Sequence, residues 1–202
     1  MKKLFLLASI AMTVALTTSA QINIKSMDPK AAREKASAAL KDKNANKGKA
    51  SAFTSADDCG AFTKTETAKD GTTSQSAKDF LIVSNDGSTG FGFTMYSVML
   101  EGEKYVVIVG VALEKGICVD KSSKLTVTFE DGEQVTLKNF KADNCDGVVQ
   151  AIIGKKVANE AVAEQLKTKK VKSIKLEGVE KTIAKSFSEN NQIQLQGTIK
   201  CL

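Results

Sequence analysis

The sequence predicts an α+β fold in which strands predominate: a mostly antiparallel sheet or sandwich with one or two helices, preceded by a weakly packed N-terminal arm. Two observations carry this expectation. Turn signals recur between short apolar runs at hairpin spacing, and one run, Tyr105 to Leu113, is apolar without alternation. A strand with two apolar faces must be covered on both sides, so it is the candidate for the centre of the sheet.

Met1-Lys2-Lys3 is a basic start, Leu4 to Leu16 an apolar stretch, and Thr17 to Ala20 a small-residue exit. Residues 1–20 therefore read as a secretory signal peptide cut after Ala20. The stretch is too short to span a bilayer. The expected mature protein is secreted or periplasmic, with no transmembrane segment after signal removal. Gln21 just after the cut makes the leader resemble those of exported proteins of Bacteroidetes-type bacteria, which implies an envelope or extracellular setting.

Residues 21–79 read as a helix plus a low-complexity arm or linker. Asp28-Pro29 is a good helix start, the carboxylate capping free amides and the proline sitting where no amide hydrogen is needed. Ala31 to Leu40 follows as alanine-rich helix, and Lys41 to Lys49 as polar linker. From Ala50 to Asp79 the only large apolar side chains are Phe53 and Phe62, too few to order the segment.

Residues 80–202 read as a compact strand-rich domain. Phe80 to Val83 is a short strand. Phe91 to Leu100 and Tyr105 to Leu113 form a hairpin across Glu101-Gly102. Gly90 and Gly92 in the aromatic strand mark a bulge or a close backbone approach. Leu125, Val127 and Phe129 alternate with polar residues, as do Val135 and Leu137, around a type I′ turn at Asp131-Gly132. Val148 to Ile153 is a strand, Asn159 caps a helix to about Thr168, and Val171 to Leu176 pairs with Thr182 to Phe187. The end is ambiguous. Ile193, Leu195, Ile199 and Cys201 alternate as in a strand, whereas Ser188 could cap a helix with Leu195, Ile199 and Leu202 on one face; the alternation favours the strand.

Cys59, Cys118, Cys145 and Cys201 make an even count in an exported chain, which reads as two disulfides. A two-residue loop at Asp131 and Gly132 opposes residues whose numbers add to 263, and Cys118 and Cys145 satisfy that rule. Cys59 is then left for Cys201.

The 202-residue chain contains no histidine, which removes imidazole-based nucleophile pairs and the common zinc sites. Its positive charge is almost all lysine, Arg33 being the one arginine, so a dedicated nucleic-acid reader is not expected. Asp57-Asp58, Asn85-Asp86-Gly87 and Asp143 to Gly147 carry oxygen ligands near glycine but miss the calcium-loop spacing and read as turns. No catalytic, metal or cofactor signature emerges.

Losing the leader's two lysines lowers the net charge from +6 to +4. Between Lys155 and Lys185 nine lysines face four glutamates, and Lys167, Lys169, Lys170, Lys172 and Lys175 are the candidate binding residues for an anionic polymer or lipid surface. The plain alternative is a solvated lysine-rich surface. The expected function is an exported non-catalytic binding or structural protein of the bacterial envelope, its partner such an anionic surface or another envelope protein. The alternative is a small carboxylate-dependent hydrolase of glycan or cell-wall material, with Glu101, Glu103 and Glu114 as candidates.

Overall fold

The computed structural model describes residues 27–45, 55–67, 73–84, 89–141, 143–154 and 160–202, so the expected signal peptide lies outside the described residues. Helices α1 (Pro29–Ala45) and α2 (Cys59–Phe62) precede strands β1 (Thr63–Thr67), β2 (Thr73–Ala77), β3 (Leu81–Val83), β4 (Phe91–Leu100) and β5 (Glu103–Ala112). Then come β6 (Lys124–Phe129), β7 (Gln134–Lys138), β8 (Val148–Ile153), α3 (Glu160–Thr168), β9 (Val171–Glu177), β10 (Thr182–Ser186) and α4 (Glu189–Cys201). The strands form two antiparallel sheets, one ordered β1-β2-β4-β5-β8 with β3 also on β4, the other β10-β9-β6-β7.

The inner faces of the two sheets share one core. Phe91, Phe93 and Met95 of β4, Ile108 of β5 and Val149, Ala151 and Ile153 of β8 pack with Leu125, Val127 and Phe129 of β6, Leu137 of β7 and Ile174 and Leu176 of β9. Strand β5 is covered on both faces as its sequence predicts, but it lies between β4 and the edge strand β8 rather than at the centre of the sheet. Its other face, Val107, Val109 and Val111, is covered together with Val148 by Ala32 and Ala36 of α1. Burying each valine contributes about 1.5–3 kcal/mol before entropy is counted, so the helix seals a substantial apolar strip. Gly92 allows the close approach: a Cβ there would stand 2.7 Å from that of Ala36.

Helix α1 begins as expected, with the Asp28 carboxylate accepting from the Ala31 amide at 2.9 Å. It runs through Ala45, so the first part of the expected linker is helical, and Lys43 donates to the Ile82 carbonyl at 2.8 Å. Residues 46–49 of that linker lie outside the described residues. Arg33 pins the helix to the sheet. Its guanidinium donates to the carbonyls of Asp146 (2.7 Å), Ala112 (3.0 Å), Glu114 (3.0 Å) and Leu113 (3.3 Å).

The sheet also begins earlier than residue 80. Strands β1 and β2 come from the segment expected to lack order, because cross-strand hydrogen bonding substitutes for the apolar burial that segment lacks. Phe62 is 3% exposed, and the Cys59–Cys201 disulfide joins α2 to the end of α4.

The C-terminus is a helix, correcting the strand expectation. Ser188 and Asn191 form a capping box, and Leu195, Ile199 and Leu202 enter the core on one face. Asn191 and Gln192 anchor that face through the Ile82 and Val171 carbonyls at 3.1 and 3.0 Å. The alternation at Ile193 to Cys201 coincides with a helical stripe, and the cap decides between them.

Cys118 pairs with Cys145 and Cys59 with Cys201, as expected. The hairpin register behind that expectation is nevertheless off by one. Leu125 opposes Leu137 and Val127 opposes Val135, so opposed numbers add to 262. The loop is three residues, Glu130 to Gly132, with Gly132 at φ 88° where a left-handed residue closes it. Between this ladder and the bridge Val119↔Asn144 one strand holds one residue more than the other, which restores the 263 register at the cysteines.

Candidate functional site

Strand β4 places Gly92, Thr94, Tyr96 and Val98 on its outer face, because alternate residues point to opposite sides. Helix α1 covers only part of this face. The register of β2 meets β4 at a single pair, Ser76↔Tyr96, while β1 and β2 pair with each other over five residues. Between helix and hairpin lies a groove of about 670 Å³. That is within the range of small-molecule sites, roughly 300–1,000 Å³.

Its residues divide by chemistry. Met27, Phe80, Tyr96 and Val98 supply an apolar surface, with Ala38 and Ala39 of α1 along one wall. Ser74, Ser76, Thr94 and Ser97 add hydroxyls. Lys35 and Asp42 on α1, Lys64 and Glu66 on β1, and Lys78 and Asp79 after β2 complete the lining with charge. Burial pushes the Tyr96 phenol up to about 12, against a smaller opposing effect of a hydrogen bond with the Met27 backbone, so it is a neutral polar group at physiological pH. The Lys64 ammonium, 2.6 Å from Glu66, holds that carboxyl below its ordinary range. A carboxylate kept ionised in this way is a poor proton donor and a good partner for a cation.

The chain matches no known family model, no curated protein and no solved structure. Function must therefore be read from the site itself.

The candidate lysines occupy varied settings. Lys167 on α3 pairs with Glu164 at 2.9 Å, and Lys175 on β9 with Glu177 at 3.0 Å. Lys169 sits between Asp131 at 2.6 Å and Glu133 at 2.7 Å, at the β6–β7 turn. Lys170 and Lys172 are exposed, the latter where β9 bulges against Phe129. Lys155 and Lys156 lie outside the described residues. Acidic residues from a distant hairpin thus reach the lysine segment, a neutralisation invisible to local charge counting.

Asp131 is held below its usual range, first by the Lys169 hydrogen bond. A depressed carboxyl pKa stabilises the fold above the unfolded value near 4 and loses that contribution as pH falls through the folded value. Thermal stability should drop as pH falls from about 5 towards about 2, and the drop should be smaller in Lys169→Met. An equal drop in both proteins would show that this pair contributes nothing.

The carboxylates considered for hydrolysis are not brought together. Glu101 lies in the turn between β4 and β5, Glu103 at the start of β5 and Glu114 beyond its far end, about 35 Å from Glu103 along the strand. The acidic turns have structural partners: Asp58 caps α2, and the Asn144 side chain accepts from the amides of Asp146 and Val148. Asn85 to Gly87 lie outside the described residues. Sequence reading missed the groove residues altogether. The one available signal was the ten-residue length of β4, whose outer face extends beyond the Ala32 and Ala36 contact of α1.

Proposed function

We propose that this is an exported, non-catalytic binding protein of the bacterial envelope whose groove between α1 and the β1–β2 hairpin holds a small amphipathic molecule. The supporting observation is the groove's lining: an apolar surface of Phe80, Tyr96, Val98 and Met27 meets charged side chains from two walls. An apolar body would displace water from the first while a charged head pairs with Lys35, Lys64 or Lys78. The two disulfides suit an oxidising compartment, and among the described residues no helix is long and apolar enough to cross a membrane.

Lauric acid, with one apolar chain and one carboxylate, is the probe for calorimetry. Saturable binding is expected, weakened at least about tenfold in Ala39→Trp, which fills the groove from the helix side. Circular dichroism should match the parent, since Ala39 is only half-buried. No binding of lauric acid or of the neutral dye N-phenyl-1-naphthylamine, or equal binding by the variant, would remove the groove as the site.

A further inference from the structure

We infer that strand β1 is a self-pairing edge through which two copies of this chain join their larger sheets antiparallel. The inference is independent of what the groove binds. Strand β1 ends its sheet: one edge is fully paired with β2, and among the described residues no strand pairs with the other. Its sequence is Thr63-Lys64-Thr65-Glu66-Thr67, and residues 64–67 are exposed.

The order of residues specifies one register. Antiparallel pairing about a two-fold axis at Thr65 sets Lys64 opposite Glu66 of the second copy and Glu66 opposite its Lys64. It also sets Thr63 opposite Thr67 of the second copy, giving hydroxyl pairs on the other face. Opposite charges and threonine pairs directly across a ladder are both favourable. Slipping by one residue places each charge opposite a residue without charge complementarity and swaps the faces; slipping by two sets Glu66 against Glu66 or Lys64 against Lys64.

Charged residues on an edge strand normally prevent promiscuous pairing. Here the same charges reject other strands and accept this one. The contrast with β10, the terminal strand of the second sheet, is instructive. Thr182-Ile183-Ala184-Lys185-Ser186 folded about Ala184 would oppose isoleucine to lysine, and its Lys185 is bound to Thr89 at 2.9 Å and Glu114 at 3.7 Å outside the strand. Lys64 and Glu66 pair with each other at 2.6 Å within β1, so self-pairing exchanges that contact for the same contact across the interface.

The base of the β1–β2 hairpin is held by Phe62 and by the Cys59–Cys201 disulfide, so the edge is presented from a fixed mount. Lys64 and Glu66 also line the groove. Opposed residues share a face, so Lys64 and Glu66 of the second copy would continue the same rim.

Sedimentation velocity on the mature protein, taken up to about 0.5 mM because a five-residue ladder is a small interface, should show reversible dimers. Lys64→Glu should weaken association at least about tenfold, and Lys64→Glu combined with Glu66→Lys should restore it to within about threefold, the swap being symmetric. Every cysteine among the described residues is in a disulfide, so an introduced thiol reports proximity. Mild oxidation of Thr65→Cys should give a covalent dimer. Thr63→Cys alone should give little, and Thr63→Cys mixed with Thr67→Cys should link. A monomer at every concentration with no Thr65→Cys dimer overturns the inference. So does a dimer indifferent to Lys64→Glu, or a double swap as weak as the single one.

Discussion

Replacing Arg33 with alanine should undock helix α1 and lower stability by about 2–4 kcal/mol, more than any other substitution on that helix. The guanidinium bonds four backbone carbonyls, at Ala112, Leu113, Glu114 and Asp146, where β5 ends and β8 is about to begin. Hydrogen bonds from a charged donor are each worth about 1.5–3 kcal/mol, and water replaces some of them when the arginine is removed. Against this, the buried apolar contribution of α1 rests on two alanines, Ala32 and Ala36, whose side chains bury little area. The polar clamp therefore outweighs the hydrophobic seam.

Once the helix leaves, Val107, Val109, Val111 and Val148 face water, so the variant should bind an apolar dye and unfold at lower urea. Arg33→Lys should recover less than half of the loss, because the guanidinium reaches the four carbonyls with two nitrogens, Nη1 to Ala112 and Asp146 and Nη2 to Leu113 and Glu114, and an ammonium offers one. A variant of parental stability with no dye binding would show that the alanine seam is sufficient. Arg33 had entered the sequence reading only as evidence against nucleic-acid recognition; its partners lie some eighty and 113 residues away and leave no local trace.

What was legible follows from where the determining interactions lie. Strands β4 and β8 match their expected limits because apolar runs bounded by turns report burial directly. Helix α3 also ends where expected, at Thr168, with Val162 and Leu166 buried, while the expected cap Asn159 lies outside the described residues. The β6–β7 pairing was found but shifted by one, since Asp131-Gly132 suits both a two-residue loop and the last positions of a three-residue one. Opposing Leu125 to Leu137 and Val127 to Val135 would have chosen correctly, because that register pairs apolar with apolar. Ending β1 and β2 in disorder failed for another reason: hydrogen bonding between two polar strands is not visible in hydrophobicity. The groove needs α1, β1–β2 and β4 together, three segments whose adjacency only the fold creates.

Removing the Cys59–Cys201 disulfide should cost more than removing Cys118–Cys145. In the chain-entropy account, a link across 142 residues restrains the unfolded chain by about 5 kcal/mol and one across 27 residues by about 3.5 kcal/mol. Native context widens the gap. Cys118 and Cys145 flank the bridge Val119↔Asn144, whose two amides donate to each other's carbonyls at 2.8 and 2.9 Å, so their segments remain together without the sulfurs. Cys59 begins α2, a single turn whose other ties to α4 are the buried Phe62 ring and the exposed Lys200–Asp57 pair at 3.1 Å, and exposed pairs contribute little. In Cys59→Ser/Cys201→Ser, hydrogen exchange should therefore accelerate across residues 59–67, and the groove should lose its hairpin wall and with it most lauric-acid binding. Urea denaturation of both double variants checks the order. If Cys118→Ser/Cys145→Ser proved the less stable, or if exchange at β1 were unchanged without Cys59–Cys201, then the hairpin would be held by its own pairing to β4 through Ser76 and Tyr96.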